Sequence, residues 1–180
     1  MLYYQSLEFA EPKLSLDSDD LQRRFYLRSR QLHPDRFARA SNAEQQAALE
    51  ASSVLNDAYR TLRNPVLRAE YFLKHHGFDI GEQRSKDVAP DLLEEVFELN
   101  MALEELKMGD ESVREQIDHA RGRFEHLRQG IDQQLEELFG RYDRQPEPGL
   151  LVGIRGLLNR RRYISNLIET ATMAPSTDKS

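Results

Sequence analysis

The sequence predicts an all-α protein of two helical domains, and three observations support this. Almost every apolar pattern repeats at three or four residues, which is the period of a helix face. Only 9 Gly and 7 Pro occur in 180 residues, which leaves room for long uninterrupted elements. No segment alternates apolar and polar residues as a half-buried strand does. We expect an N-terminal helical hairpin and a C-terminal antiparallel three-helix bundle.

Capping residues mark the two helices of the hairpin. Asp17 is suited to cap a helix over about residues 19–32, because a carboxylate accepts the free backbone N–H groups of the first turn. Pro34 ends that helix. Ser41 and Glu44 fit a capping box at the start of the second helix. The stripe predicted to face a partner helix is Ala51, Leu55, Ala58 and Leu62.

A short helix and a polar segment complete the N-terminal half. Asn64 and Pro65 predict a helix start, and Gly77 predicts its end. Residues 77–89 combine two glycines with mixed polarity and are predicted to be a linker. We therefore place the N-terminal domain at residues 1–76.

Three amphipathic helices are predicted to form a bundle over residues 90–173, followed by a disordered tail at 174–180. Pro90 starts the first helix, which runs to about Lys107. Asp110 caps the longest helix, whose apolar residues repeat every three or four positions to about residue 142. The last helix covers about 150–171. Its inward residues are predicted to be Leu150, Ile154, Leu157, Ile164 and Ile168.

Composition excludes several classes of protein. The chain has no cysteine, which excludes disulfides, thiolate metal sites and a cysteine nucleophile. No apolar run approaches the roughly 18 residues of a membrane span. The first residues lack the basic and apolar regions of a secretory signal. We expect no bound metal, no cofactor and no membrane partner.

The residues with the most distinctive chemistry lie between the two hairpin helices. His33, Pro34 and Asp35 fall within a basic stretch, since residues 21–39 hold six arginines and one acid in a chain of net charge −6. A run of one sign gains no ion pairs within itself, which favours an acidic protein partner. The alternatives are a solvated helix face, a nucleic-acid module, and a hydrolase that uses His33 and Asp35.

The wider pattern resembles the HscB/Jac-type J-domain co-chaperones of iron–sulfur cluster assembly. It consists of HPDRF at 33–37, LNDAYRTL at 55–62 and RAEYFL at 68–73, and it continues into the C-terminal bundle. The resemblance implies a cytoplasmic protein that is not an enzyme, does not bind nucleic acid, and stimulates an HscA/DnaK-type ATPase chaperone. The chaperone-binding residues that it implies are His33, Pro34, Asp35, Arg23, Arg24 and Arg30.

Position 28 departs from the family pattern. Relatives usually place Leu there after a polar residue, whereas this chain has Leu27-Arg28. Either the helix rotates so that Leu27 packs, or Arg28 extends out of a thinner core. The part of Arg28 in chaperone binding stays open.

The helix over residues 90–107 carries two apolar stripes. One stripe suits the bundle core. The other is rotated by about 100°, and it is either buried against a second neighbour or exposed for binding. The resemblance implies that this helix binds the scaffold protein IscU; a J-domain protein with a different client is the alternative. The client-binding residues that it implies are Leu93, Phe97, Glu98, Met101, Glu105 and, in the last helix, Tyr163. Met101 stands where Glu is usual in the family.

Overall fold

The computed structural model describes residues 1–78 and 90–173, and all regular structure in this part of the chain is helical, which confirms the all-α class. Short 3-10 turns occupy Pro34–Phe37 and Glu111–Val113. The described helices are α1 (Leu2–Ser6), α2 (Ser18–Gln31), α3 (Asn42–Leu62), α4 (Pro65–His75), α5 (Pro90–Lys107), α6 (Arg114–Arg144) and α7 (Pro148–Thr172).

The predicted N-caps are present in the structure. The Asp17 carboxylate accepts the backbone N–H groups of Asp19 and Asp20 at 2.8 and 3.0 Å. The Ser41 hydroxyl and the Glu44 carboxylate form the reciprocal capping box of α3. These bonds satisfy backbone donors that have no partner within the helix, so they fix where each helix begins.

Gly77 ends α4 as predicted. Its φ is +80°, a conformation that side chains disfavour. This turn lets the N–H of Phe78 reach the carbonyl of Leu73 at 3.1 Å and the N–H of Gly77 reach that of Lys74 at 3.2 Å.

The chain divides into two compact units. The first contains Met1–Asp79 and Phe139–Leu151, and the second contains Ile80–Leu138 and Val152–Ser180. The sequence placed Phe139–Leu151 in the C-terminal domain, whereas the structure groups this end of α6 and start of α7 with the N-terminal residues. The predicted linker from residue 79 onward and the predicted tail at 174–180 lie outside the described residues.

In the first unit, α3 contacts α1, α2, α4 and the 3-10 turn at Pro34–Phe37. The helix α1 was not predicted from the sequence. This five-residue helix has no side-chain cap, and it is held by tertiary contacts instead. Tyr3 stacks on Tyr71 of α4 with ring centroids 4.4 Å apart, and Tyr4 is buried.

In the second unit, α5, α6 and α7 are joined by ion pairs at their edges. Arg123 of α6 pairs with Glu95 of α5. Arg161 of α7 binds Asp132 of α6 through two nitrogens, at 2.5 and 3.2 Å. Buried apolar residues fill the interior. The described part of this core is Leu92, Leu99, Ala102, Leu103, Leu106, Val113, Ile117, Phe124, Ile131, Leu135, Ile154, Leu158, Ile164, Ile168 and Ala171.

The inward face of α7 differs from the predicted one near its start. Leu151 and Leu158 are buried, while Leu150 and Leu157 are only half-buried. Both pairs lie within one helical turn of Ile154, so spacing alone could not choose between them.

Among the helices of residues 1–78 and 90–173, none combines the length and the apolar character that a membrane span needs.

Candidate functional site

The loop after α2 presents its acid to solvent. His33 caps the 3-10 turn, because its Nδ1 accepts the backbone N–H of Asp35 at 3.3 Å. The same nitrogen lies 3.4 Å from a carboxylate oxygen of Asp35. The Asp35 side chain is 90% exposed. We call His33 together with Pro34–Phe37 the HPD turn.

This geometry suits recognition rather than hydrolysis. An exposed carboxylate on a turn braced by Pro34 can accept a bidentate guanidinium from another protein. Catalytic side chains commonly lie in a concave site that encloses and positions a substrate. The side chains of His33 and Asp35 are both well exposed, so the described structure gives them no such enclosure.

The arginines of α2 divide into two groups. Arg24 is engaged within the unit: its Nε binds Asp20 at 2.7 Å and its Nη1 donates to the Glu8 carbonyl at 2.6 Å. Its guanidinium also lies 4.6 Å from the ring centroid of Phe9. Arg23 and Arg30 are exposed, although Arg23 also pairs with Asp20. The hydrogen bond from Arg24 is the main reason that the pKa of Asp20 is lowered.

Arg28 faces the N-terminal segment. Its Nη1 lies 3.1 Å from a carboxylate oxygen of Glu8 and 2.6 Å from Gln31 Oε1, and its Nε donates to the Ser6 carbonyl at 3.4 Å. Leu27 is exposed. The helix therefore does not rotate to pack Leu27, and Arg28 extends from the edge of the core to polar partners.

The second apolar stripe of α5 is exposed, which decides between the two alternatives left by the sequence. Leu93, Phe97 and Met101 are 56, 65 and 49% exposed. We call these three residues the α5 stripe. Leu92 and Leu99 on the opposite face are buried, so the stripe lies on the side of α5 that does not face the bundle core. Adjacent exposed apolar side chains of this size are typical of a binding surface.

Acidic groups border the α5 stripe. Glu98 and Glu105 are exposed, as are Glu94 and Glu104. Met108, which is seven residues after Met101 and 82% exposed, was not among the predicted binding residues. It is the first residue after α5, and its spacing of seven residues from Met101 was visible in the sequence.

Tyr163 occupies a half-buried position on α7. The structure gives no hydrogen bond that joins it to the α5 stripe within the described residues. Its inclusion in the same binding surface stays a prediction.

Residues 1–78 and 90–173 contain no group of three or more His, Asp or Glu side chains able to hold a metal ion.

Comparisons with known proteins bear on both halves of the chain. The family model for the HSCB C-terminal oligomerisation domain matches residues 88–172. A co-chaperone protein HscB homolog of Neisseria meningitidis serogroup C is 36% identical over 135 residues, or 74% of this chain and 81% of the relative. The homolog of Neisseria gonorrhoeae matches with the same identity and coverage.

Solved structures agree with the fold. Chaperone HscB from Vibrio cholerae matches with a TM-score of 0.67 at 22% identity, over 96% of each chain. Human co-chaperone protein HscB matches with a TM-score of 0.69 at 25% identity, over 95% of this chain and 80% of the human chain. The comparisons confirm the resemblance that the sequence motifs indicated.

Proposed function

Because this chain belongs to the HscB family of co-chaperones, we propose that it links a scaffold protein to an ATPase chaperone during iron–sulfur cluster assembly. The C-terminal bundle binds an IscU-type scaffold. The HPD turn engages an HscA/DnaK-type chaperone and stimulates its ATP hydrolysis. The protein itself contributes no catalytic residue and no cofactor, and it works in the cytoplasm.

The observation that carries this proposal is the exposed α5 stripe. A co-chaperone that delivers a folded client needs a surface apart from its chaperone-binding loop. The α5 stripe offers three large apolar side chains, and Phe97 at its centre is the most exposed of the three. Aromatic residues at the centre of an interface commonly carry much of the binding energy.

Charge supports the assignment of partners. Residues 82–118 hold twelve acids and four bases, whereas residues 21–39 hold six arginines and one acid. A negatively charged surface attracts a positively charged partner, and a positively charged surface attracts a negatively charged one. The scaffold therefore meets the acidic surface through basic residues, and the chaperone meets the basic surface through acidic ones. Glu98 and Glu105 supply the acidic border, and Tyr163 adds an aromatic contact.

On the chaperone side, we assign different roles to the three arginines of α2. Arg23 and Arg30 are exposed and meet the partner directly. Arg24 contributes positive charge to the same surface while holding the N-terminal segment through Glu8 and Phe9. Asp35 pairs with an arginine of the chaperone, and Pro34 holds the carboxylate outside the helical hairpin.

The test is steady-state ATP hydrolysis by the cognate chaperone, with and without the scaffold. We expect Asp35→Asn to abolish stimulation and to leave scaffold binding unchanged, because the substitution removes one charge from an exposed side chain. We expect Phe97→Ala to weaken scaffold binding about thirtyfold, as for a central interface aromatic, and to keep the stimulation that needs no scaffold.

Val152→Ala is the matched control for Phe97→Ala, because Val152 is an exposed apolar residue on α7. It should bind the scaffold like the parent protein.

Stimulation by the parent protein that does not depend on the scaffold would support the J-domain and indicate a different client. Absence of any stimulation by the parent protein would contradict the proposed function.

A further inference from the structure

Glu8 has a backbone conformation that usually belongs to glycine. Its φ is +58°, whereas the other residues with positive φ in the described ranges are both glycines. The backbone here closes α1. The N–H of Glu8 reaches the Gln5 carbonyl at 3.0 Å, and the next N–H along the chain reaches the Tyr4 carbonyl at the same distance. Glycine would close the helix in the same way at lower conformational cost, so the side chain of Glu8 points to a second role.

The carboxylate of Glu8 faces Arg28 of α2. One of its oxygens lies 3.1 Å from Arg28 Nη1, and the nearby Ser6 carbonyl accepts from Arg28 Nε at 3.4 Å. Arg28 follows Phe25 by three residues, and Phe25 stacks on an aromatic ring of α3. Arg28 thus lies beside the packed side of α2, where it is half-buried. Its polar partners Glu8, Ser6 and Gln31 all belong to this unit.

A second arginine joins α2 to the same segment. Arg24 precedes Arg28 by four residues, so both lie on one side of the helix. Arg24 Nη1 donates to the Glu8 carbonyl at 2.6 Å, and its guanidinium lies 4.6 Å from the ring centroid of Phe9. Glu8 therefore contacts α2 twice, through its carbonyl and through its carboxylate. Only the contact with Arg28 depends on the side chain at position 8, and we call it the Glu8–Arg28 pair.

We infer that Glu8 is a positioning residue for binding of the ATPase chaperone and that it acts through Arg28. This inference rests on the proposed function. Arg23 and Arg30 lie on α2, and the HPD turn begins where α2 ends, so the orientation of this helix decides where the binding groups stand. α3 holds α2 on one side. The Glu8–Arg28 pair holds it from the N-terminal segment, and Arg28 is not itself a chaperone contact.

The exposure of the pair separates its effect on orientation from its effect on stability. The Glu8 side chain is 60% exposed and that of Arg28 is 28% exposed. Exposed ion pairs add little to folding free energy, and salt screens them. Closing α1 needs only the backbone at position 8. Glu8→Gly should therefore remove the pair and leave the unit folded.

The test is a titration of the chaperone's ATPase with Glu8→Gly at low and at high salt. Glycine suits the positive φ, so the variant should melt no lower than the parent protein. We expect the half-stimulating concentration to rise about fivefold at low salt, which is the upper range for loss of an exposed ion pair. The maximal rate is kept because Asp35 is intact. The rise should shrink at high salt, because salt weakens the pair in the parent as well.

Exchanging the two charges separates positioning from direct contact. Glu8→Arg/Arg28→Glu keeps the net charge and restores an ion pair between the same positions. We expect its half-stimulating concentration to lie close to that of the parent protein. Arg28→Glu alone sets two carboxylates against each other, so it should bind more weakly than Glu8→Gly. A double variant as weak as Arg28→Glu would show that Arg28 contacts the chaperone directly, and would overturn the inference.

Glu11→Gly is the matched control, because Glu11 is exposed on the same segment and its loss removes the same charge. It should titrate like the parent protein. Three results would overturn the inference and leave the proposed function standing: an unchanged or lower half-stimulating concentration for Glu8→Gly, an equal rise for Glu11→Gly, or a lower melting temperature for Glu8→Gly, which would assign its carboxylate to folding. A parent protein that stimulates no ATPase would overturn the inference and the proposed function together.

Discussion

At the scale of single residues, the first unit is organised around the backbone of Leu14. The Asp143 carboxylate accepts the N–H of Leu14 at 2.9 Å and that of Ser15 at 2.6 Å. The Leu14 carbonyl accepts from Arg68 Nε at 2.7 Å, and Arg68 also donates to the Leu62 carbonyl at 2.6 Å. Charged partners thus satisfy both backbone groups of a buried residue.

We expect Asp143→Ala to lower the free energy of unfolding by about 2 kcal/mol. The reason is that it leaves two backbone N–H groups without their charged acceptor, and one of them belongs to fully buried Leu14. Urea denaturation measures the change. Asp143→Asn, which keeps one acceptor oxygen, should lose less. Equal stability of Asp143→Ala and the parent would show that water replaces the carboxylate without cost.

Arg28 shows what residue patterns cannot decide. Both alternatives at this position fit the helical period equally well. The orientation of Arg28 is set by its contacts with the Ser6 carbonyl and the Glu8 carboxylate, which lie about twenty residues earlier in the chain. The same limit applies to the α5 stripe, since the apolar spacing of Leu93, Phe97 and Met101 suits burial and exposure alike. Only the arrangement of neighbouring helices separates the two.

At the scale of elements, helix ends were the most predictable features. Asp17, the Ser41–Glu44 box, Asn64 and Gly77 act through bonds within a few residues, so a short stretch of sequence contains the whole cause. The short helix α1 lacks such a local signal. It depends on Tyr3 and other tertiary contacts, and these could not be inferred from the sequence around it.

The capping box of α3 makes a prediction about pH. Hydrogen bonds from the side chain and backbone of Ser41 hold the pKa of Glu44 below its ordinary value of 4.5. An acid whose pKa is lowered by folding stabilises the folded state fully at pH values above its ordinary pKa. This stabilisation is lost as the pH falls through the lowered pKa. We expect Glu44→Ala to melt at a lower temperature than the parent at pH 7.

The difference in melting temperature should shrink as pH falls below about 4.5, because protonation removes the charge of Glu44 in the parent as well. Thermal unfolding followed by circular dichroism between pH 7 and pH 3 checks this. Glu44→Gln, which keeps the hydrogen-bonding geometry without the charge, should depend on pH less than the parent does. A constant difference at all pH values would contradict the assignment.

At the scale of the whole molecule, the composition of the first unit was the least predictable feature. It includes Phe139–Leu151, which lie far along the chain from the other members. Tyr142 packs edge-on against Phe72 with ring centroids 5.5 Å apart, and against His76 at 6.4 Å. Contacts between residues so distant in sequence leave no local pattern to detect.

A fragment of residues 1–78 should therefore be less stable than the same residues in the full chain. It lacks Tyr142 and Asp143, so Phe72 loses an aromatic neighbour and Leu14 loses its acceptor. We expect the backbone amides of α3 and α4 to exchange with solvent faster in the fragment than in the full chain, which amide hydrogen exchange measures directly. Equal protection in the fragment would show that residues 139–151 add nothing to the stability of this unit.

Met101 also gives the α5 stripe a side chain that oxidants can modify, since the residue is 49% exposed. With no cysteine in the chain, the four methionines hold its only sulfur atoms, and Met101, Met108 and Met173 are 49, 82 and 71% exposed. Conversion to the sulfoxide turns a flexible apolar side chain into a polar one. Peroxide would thus make the edge of the α5 stripe more polar, while the buried leucines of the helical core carry no sulfur to oxidise.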